Sequence, residues 1–426
     1  MSIEMLLDEE KFVRVRSKIV FYYYGKKCLA DYDMKTIALL DKLDIDIILL
    51  ATGKNTIKEV KKQLLINEKI SDKVDGMTII TRIYRLLNKG ILIIRKKKSD
   101  VRVKIEGEYG KYYPKELVIE LTNICNFRCP FCYKDALVGG KYIDEILIDS
   151  LNNIIKGKIS NILLTGGEPT LHPSFLKYLE MFSDYAKVRM VSNGSQFYRY
   201  DSEALKRLSM VQFSLYGSDD VEYEKVTGEA RGFYKLEKSI EVAKKRDIPF
   251  SIATTLNINT LMRAEEYIQT AIMLGAKRVN IGTADMFGRE LNAHQNRTSE
   301  NIDIEKFMLQ LLEYKKKYQK KINVVVNNID MVASSDKELN EKVYNRCLKC
   351  GSGIDSLVLS QDGYFRPCPE LPESVFNLGG LDYLIDFING NFRGDQLYQC
   401  IKKFCNEKDM IPCGALQEYY EKNICR

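Results

Sequence analysis

The chain has 426 residues, of which 45% are apolar, enough for buried cores and against a disordered protein. That length calls for two or three domains rather than one. Its longest apolar runs, such as Ile45–Ala51 and Ile91–Ile94, are too short to cross a bilayer. The N-terminal MSIEMLLDEEKF carries acids where a secretory signal would carry a basic region. A cytoplasmic protein with no membrane partner is therefore expected. The net charge of +7 is unevenly placed: residues 1–115 hold 25 Lys/Arg against 16 Asp/Glu, and the rest holds 40 against 42. A basic N-terminal module on a nearly neutral body suggests an acidic partner for that module alone.

Residues Val13–Tyr24 and Lys27–Tyr32 read as a β-hairpin turning at Gly25. Helical patterns follow at Met34–Leu43, at Thr56–Asn67 with Asn55 as N-cap, and at Asp72–Asn88, which stops before Gly90. Ile91–Arg95 and Val101–Ile105 read as two short strands around a basic turn. Hairpin, three helices and wing make a winged-helix-like α+β domain over residues 1–112. From Glu116 the texture changes to strands alternating with helices. The strands are Leu117–Leu121, Asn161–Thr165, Val188–Ser192, Val211–Leu215, Phe250–Thr255 and Arg278–Gly282. The helices are Asp144–Ile155, Pro173–Tyr185, Ser202–Leu208, Lys235–Arg246 and Leu261–Leu274. Six βα units in series predict an α/β domain, a partial (β/α)6 TIM-type barrel over residues 113–326, with its chemistry at the C-terminal strand ends. A helix over Ile304–Lys320 and a strand over Ile322–Val326 close it. Residues 327–426 are Cys-rich and turn-rich, with little regular periodicity from Cys347 onward.

Eleven cysteines and two histidines make mixed Cys/His zinc sites a poor fit. In a reducing compartment clustered thiols point to metal or redox chemistry, with iron–sulfur or all-Cys zinc favoured. The first strand feeds into TNICNFRCPFCY, where Cys125, Cys129 and Cys132 stand in a C-x3-C-x2-C loop. Three ligands leave one iron of a four-iron cluster open. The bland alternatives are a zinc knuckle lacking a ligand, or incidental thiols. The second strand ends in Gly166-Gly167-Glu168-Pro169, the third in Ser192-Asn193-Gly194, and the fourth carries Ser214. Glycines permit close backbone approach to a ligand, and a carboxylate beside them could hold an ammonium group. A plain βα turn would use the same glycines and proline.

CNFRCPFC, GGEP and SNG in this order, each at a strand end, resemble the radical S-adenosylmethionine (radical SAM) superfamily over roughly residues 114–326. The resemblance implies that Cys125, Cys129 and Cys132 bind a [4Fe-4S] cluster whose open iron chelates S-adenosyl-L-methionine. It implies Phe131 against the adenine, Gly166, Gly167, Glu168 and Pro169 around the methionine amino group, and Ser192, Asn193 and Ser214 toward the ribose or carboxylate. One electron from the cluster then cleaves the sulfonium, and the resulting 5′-deoxyadenosyl radical takes a substrate hydrogen. The chain departs from the family pattern at Ser214-Leu215-Tyr216-Gly217, where relatives commonly carry SLDG, and Arg231 stands at the wrong offset for an arginine that often follows.

Cys347 and Cys350 lie 12 to 15 residues before Gly363, and four residues separate Gly363 from Cys368. This resembles the opening of the SPASM motif of radical enzymes acting on peptides and proteins. The spacing of Cys400, Cys405, Cys413 and Cys425 departs from that motif, so one or two auxiliary iron–sulfur clusters both fit, and a zinc ribbon is the structural alternative. Glu370 is a candidate base or a solvated turn acid, and Cys28 reads as a buried hydrophobe. The N-terminal module resembles, in pattern and position, the peptide-recognition domain of ribosomal peptide maturases, the fold of the small pyrroloquinoline quinone peptide chaperone. That implies a leader peptide added as a strand to the wing edge and packed on the third helix.

Together these readings give a maturase that cross-links a ribosomally made precursor peptide, foremost through a Cys-to-carbon thioether, fed by an electron donor such as flavodoxin or ferredoxin. Carbon–carbon cross-linking or epimerisation would use the same parts. The rivals are a sulfatase-maturase-like oxidase of Cys or Ser and a redox-sensing nucleic-acid-binding protein. The third-helix segment speaks against nucleic acid, because it carries only Lys73, Arg82 and Arg85 among many apolar residues.

Overall fold

The computed structural model describes residues 8–32, 35–66, 74–136, 138–256, 261–283, 304–326, 353, 356–369 and 377–391. Cys347, Cys350, Cys400, Cys405, Cys413, Cys425 and Glu370 lie outside the described residues. Contacts divide the chain into two compact units, one drawn from Met1–Tyr113 with Asp386–Phe392, the other chiefly from Pro114–Ile385.

The first unit opens with β1 (Phe12–Val15), β2 (Ile19–Tyr24), β3 (Lys27–Tyr32) and β4 (Lys35–Leu40). Lys18, in the left-handed region at φ 70°, breaks the expected first strand in two. β1 joins a three-stranded sheet between β5 (Thr52–Thr56) and β6 (Leu92–Arg95), while β2 joins a four-stranded one, β4-β3-β2-β7, with β7 at Ile105–Glu106. β2 and β3 pair from Ile19↔Tyr32 to Tyr24↔Lys27, and Gly25 supplies the positive φ of their turn, 61°. The segment expected as a helix at Met34–Leu43 is instead strand β4, registered on β3 through Leu29↔Leu39 and Ala30↔Ala38. Its burial alternates: Ala38 and Leu40 point inward while Leu39 is half exposed. Period-2 burial on a partner strand overrides what local composition suggests.

Helix α1 (Lys42–Leu50), unforeseen, starts one residue later through a capping box in which Asp41 and Asp44 satisfy each other's N–H. β5 (Thr52–Thr56) leads into α2 (Ile57–Ile66). Thr56, not Asn55, caps α2: Glu59 N–H donates to Thr56 Oγ1 at 3.2 Å and Thr56 N–H to Glu59 Oε2 at 2.7 Å. α3 (Gly76–Asn88) is capped by Asp75 and buries Ile79, Ile80, Ile83 and Leu86. The wing strands β6 (Leu92–Arg95) and β7 (Ile105–Glu106) do not pair with each other; β6 runs antiparallel to β1 and β7 parallel to β2. Val13, Phe21, Ile48, Ile80 and Ile83 belong to the core of this unit. Within it Asp44, fully buried, faces Arg82 and Arg85 from α3, and Arg82 also meets Asp41 at 2.7 Å.

The second unit is built on parallel strands: β8 (Glu116–Glu120), β9 (Asn161–Thr165), β10 (Lys187–Ser192), β11 (Leu208–Ser214), β12 (Phe250–Leu256), β13 (Arg278–Thr283) and β14 (Asn323–Val326). They pair consecutively, in chain order, in one nine-stranded sheet. Helices α4 (Glu145–Ile155), α5 (Phe175–Ser183), α6 (Asp220–Thr227), α7 (Gly232–Lys245), α8 (Ala264–Met273) and α9 (Ile304–Tyr318) alternate with them. Strand order without reversal is the winding of a barrel-type α/β sheet, and it gathers the loops after the strands at one end. The strands are apolar because both faces are covered: Leu117, Ile119, Ile162, Leu164, Val211, Phe213, Ile252 and Ile281 are all buried.

Beyond β14 the expectation of little regular structure fails in part. β15 (Ser356–Leu359) extends the sheet parallel to β8, and β16 (Phe365–Arg366) pairs antiparallel to β15. A last helix, α10 (Leu381–Asn389), follows.

Candidate active site

The loop after β8 is held on all sides. Leu121 N–H donates to Thr165 O at 2.9 Å, and Ile143 N–H to Leu121 O at 2.8 Å. Thr122 Oγ1 donates to Lys141 O and accepts from Ile124 N–H, both at 2.9 Å. Arg128 N–H donates to Thr227 O at 2.6 Å, so α6 secures the far side. Cys125 and Cys129 are buried and Cys132 is partly exposed.

The turn after β9 locks against this loop. Gly167 N–H donates to Thr122 O at 2.7 Å and Glu168 N–H to Ile124 O at 2.8 Å. A Cβ on Gly166, at φ 139°, would sit 2.4 Å from Thr122 O; one on Gly167 would sit 2.2 Å from Ile124 O. The glycines are thus required by the backbone of the cysteine loop itself, a reason the sequence reading, which pointed to a ligand, did not contain.

Glu168 is fully buried and already surrounded by donors. Its carboxylate accepts from Thr170 N–H at 3.1 Å, from the Thr170 hydroxyl, from Ser192 Oγ at 2.8 Å and from Asn193 N–H at 2.6 Å. Burial pushes its carboxyl upward while these donors pull the other way. Its side chain therefore ties the end of β9 to the end of β10. Ser192 is spent on that tie and on Gly194 N–H, 3.0 Å away.

Asn193 turns to the cysteine loop: its amide donates to Cys125 Sγ at 3.7 Å and to Asn126 Oδ1 at 3.1 Å. Asn126 is a hub the sequence reading missed. It also accepts from Ser195 Oγ and donates to Glu229, each at 3.1 Å. An amide can do this because it both donates and accepts, and its place inside the cysteine motif was the available signal.

At the end of β11, Ser214 O accepts from Tyr223 OH at 2.7 Å. Tyr216, where the family pattern has Asp, packs on Phe131 with centroids 5.3 Å apart and on Phe127 and Tyr223 at 6.3 and 6.0 Å. Removal from water and the neighbouring Cys129 thiol hold its phenol well above the usual range. Phe131 is thus one wall of an aromatic cluster against the cysteine loop.

Burial, reinforced by the Glu168 carboxylate, pushes the Cys125 thiol up to about 12, against hydrogen bonds from Phe127 N–H and Asn193. Without a cation at the sulfur the loop disfavours thiolate, and a bound metal supplies that cation. Among the described residues no three Cys, His, Asp or Glu side chains close on one metal-ion position. A four-iron cluster takes one thiolate per iron and so asks for sulfurs spread around it rather than focused on a point. Three thiols on a loop pinned from β9, β10 and α6 fit that demand.

Residues 119–271 match the family model of the radical SAM superfamily. The chain carries a radical SAM domain. Two curated relatives are similar. The sporulation killing factor maturation protein SkfB of Bacillus subtilis is 25% identical over 277 residues, 63% of this chain and 63% of the relative. The match therefore spans less than two thirds of that relative's length. The antilisterial bacteriocin subtilosin biosynthesis protein AlbA, also of Bacillus subtilis, is 24% identical over 365 residues, 80% of this chain and 77% of the relative. Among solved structures, Streptococcus suis SuiB bound to precursor peptide SuiA shares the fold at a TM-score of 0.57 and 14% identity, covering 95% of this chain and 94% of that one. A radical SAM domain implies a [4Fe-4S] cluster with S-adenosylmethionine. The radical SAM motifs read from the sequence lie at the C-terminal ends of β8, β9, β10 and β11. No described helix is long and apolar enough to cross a membrane.

Proposed function

We propose that this chain is a radical SAM enzyme that installs a cross-link, foremost a Cys-to-carbon thioether, in a ribosomally made precursor peptide. The observation that carries the chemistry is the Cys125–Cys132 loop clamped by the Gly166–Glu168 turn at the C-terminal end of a parallel sheet. In this reading Cys125, Cys129 and Cys132 hold the cluster. Bound there, S-adenosylmethionine supplies one-electron sulfonium cleavage and hydrogen-atom abstraction from the peptide.

The residues around it bind and orient. The N–H groups of Gly167 and Glu168 are committed to the cysteine loop, so carbonyl oxygens of that turn are left to accept from the methionine ammonium. Phe131 and Tyr216 offer ring faces to the adenine. Asn193 donates toward Cys125, and Ser192 reaches the ligand only through Glu168. Ser214 stands at the next strand end, on the ribose or carboxylate side. Cys347, Cys350, Cys368, Cys400, Cys405, Cys413 and Cys425 supply one or two auxiliary iron–sulfur clusters. A cytoplasmic one-electron donor, flavodoxin or ferredoxin, feeds the site.

The substrate class rests on kinship and on the first unit. SkfB is named for maturation of a sporulation killing factor, AlbA for biosynthesis of the bacteriocin subtilosin, and SuiB has been solved bound to its precursor peptide SuiA. The basic unit over residues 1–112 receives the leader by strand addition at β6, which pairs with β1 on one side, with α3 beside it. Arg82 and Arg85 of α3 are engaged by Asp41 and Asp44 rather than aligned for phosphate contact, which weighs against nucleic acid.

The test is anaerobic reconstitution with iron and sulfide, then incubation with S-adenosylmethionine, reductant and a Cys-containing precursor peptide. Formation of 5′-deoxyadenosine with a peptide lighter by two hydrogens per cross-link is expected. An iron-free preparation would overturn the chemistry. A peptide of unchanged mass that takes up solvent deuterium would redirect it to epimerisation. Undiminished peptide processing after deletion of residues 1–112 would favour a Cys or Ser oxidase.

A further inference from the structure

Two hydrogen-bond donors stand beside Cys125 Sγ, and they differ in kind. Phe127 N–H, 3.4 Å away, belongs to the backbone of the cysteine loop. The Asn193 amide, 3.7 Å away, is carried by a side chain whose two ends look alike in shape and opposite in chemistry. Its sense is fixed by Ser195. Ser195 N–H lies 2.8 Å from Asn193 Oδ1, and a backbone N–H can only donate. The oxygen of Asn193 therefore faces Ser195, and Nδ2 faces Cys125 and Asn126 Oδ1, the latter at 3.1 Å.

Asn126 is fixed independently from its other end. Its Nδ2 donates to Glu229 Oε2 at 3.1 Å, and a carboxylate only accepts. Lys235 of α7 pairs with Glu229 Oε1, and their side chains are only 20% and 18% exposed, so the carboxylate is held in place. Asn126 Oδ1 is thereby turned to Asn193 and to Ser195 Oγ, 3.1 Å away. The sense of donation read from Ser195 and the sense read from Glu229 agree along the whole chain from α7 to the sulfur.

Both hydrogens of Asn193 Nδ2 are thus committed, one to Cys125 and one to Asn126. Without the Asn126 oxygen, one hydrogen loses its acceptor and the amide loses the contact that aims the other at Cys125. Hydrogen bonds to ligand sulfurs help set the potential of an iron–sulfur cluster. An N–H at the sulfur offsets negative charge, and the reduced cluster carries one more electron to offset.

We propose that Asn126 is a positioning residue that aims the Asn193 amide at Cys125 Sγ and so raises the reduction potential of the cluster on Cys125, Cys129 and Cys132. This rests on the radical SAM reading of that loop.

The experiment is a reductive titration of the full-length, reconstituted protein, followed by electron paramagnetic resonance on the signal that S-adenosylmethionine perturbs in the wild type. Asn126→Leu, similar in size but without an acceptor, is expected to lower the reduced-to-oxidised ratio about tenfold at a fixed applied potential, a negative shift of 59 mV for a one-electron couple. Asn193→Leu should shift the midpoint in the same direction by at least as much. Because Asn126 acts through Asn193, the double variant should shift no further than Asn193→Leu alone. If Asn126→Leu takes up no iron, Asn126→Ala, which adds no bulk, replaces it with the same expectations. An unshifted midpoint in the iron-loaded variant overturns the proposal, and so does a double variant in which the two shifts add. A positive shift also overturns it: a merely loosened loop admits water, which favours the more highly charged reduced cluster. Wild-type protein without the S-adenosylmethionine-sensitive signal would instead fail the underlying reading, so the two failures are distinct.

Discussion

Each compact unit contains a fully buried carboxylate facing two cations, and the two sets differ in what surrounds them. In the first unit Asp44 meets Arg82 and Arg85, whose side chains are 28% and 42% exposed and can rehydrate. Asp41 shares the load, and the set sits at a helix start where it caps α1 and joins it to α3. In the second unit Glu120 meets Lys134 and Arg366, both nearly out of solvent, next to the cysteine loop. The same three-charge motif is thus a solvent-relieved tie in one place and a sealed electrostatic element in the other. Water access decides which, because desolvation is the dominant cost of a buried ion.

The largest effect that could break this comparison is on Glu120→Ala. Leaving two sealed cations without their anion should cost about 3–5 kcal/mol, read as loss of hydrogen-exchange protection in β8 and β9. A cost no greater than that of the Asp44 variant would show that the second set is not sealed. Asp44→Ala is expected to cost less, about 1–3 kcal/mol, with lost protection confined to α1 and α3, because its arginines can turn to water and to Asp41.

The smallest effect concerns pH. Burial alone would raise Asp41, but Asp44 N–H and the Arg82 guanidinium more than offset it and hold its carboxyl below the ordinary 3.8. A depressed folded-state value means its contribution is present above the unfolded value and lost as pH falls through the folded one. Asp44 is shifted the other way, raised by burial and by Asp41, so its contribution is present at low pH and fades as pH rises through its folded value. Asp41→Asn should therefore flatten the acid side of the first unit's stability curve below about pH 4, by no more than about 1 kcal/mol given its exposure. An unchanged acid limb in urea melts would remove Asp41 from the tie.

The radical SAM domain was legible because its strands are short apolar runs that end in distinctive residues. Asn161–Thr165 was read with the bounds the structure shows, and β10 and β12 to within one residue at an end. The first unit was read less well. Met34–Leu43 has the composition of a helix, yet β3 captures Lys35–Leu40 as a strand, and the capping box at Asp41 shifts helix formation to α1. Of the strand expected at Val101–Ile105 only Ile105 lies in one, the two-residue β7, and β6 and β7 each pair with a strand of the hairpin region rather than with each other. Strand partners separated by many residues leave no local trace in a sequence, and a one-residue change of register reverses inside and outside.

What the chain determined by itself was the chemistry available: three cysteines in a short loop, glycines after the next strand, and apolar runs that only a covered parallel sheet can bury. Local spacing fixes such features, since ligands on one loop and turns at strand ends need only neighbours in sequence. The tertiary structure alone decided what each polar side chain is spent on. It turned Glu168 from a free carboxylate into a tie between strands, Asn126 into a hub, and Glu120, Lys134 and Arg366 into one buried cluster across 246 residues of chain. Those roles depend on which groups burial brings within hydrogen-bond reach, because desolvation penalises a buried polar atom that finds no partner there.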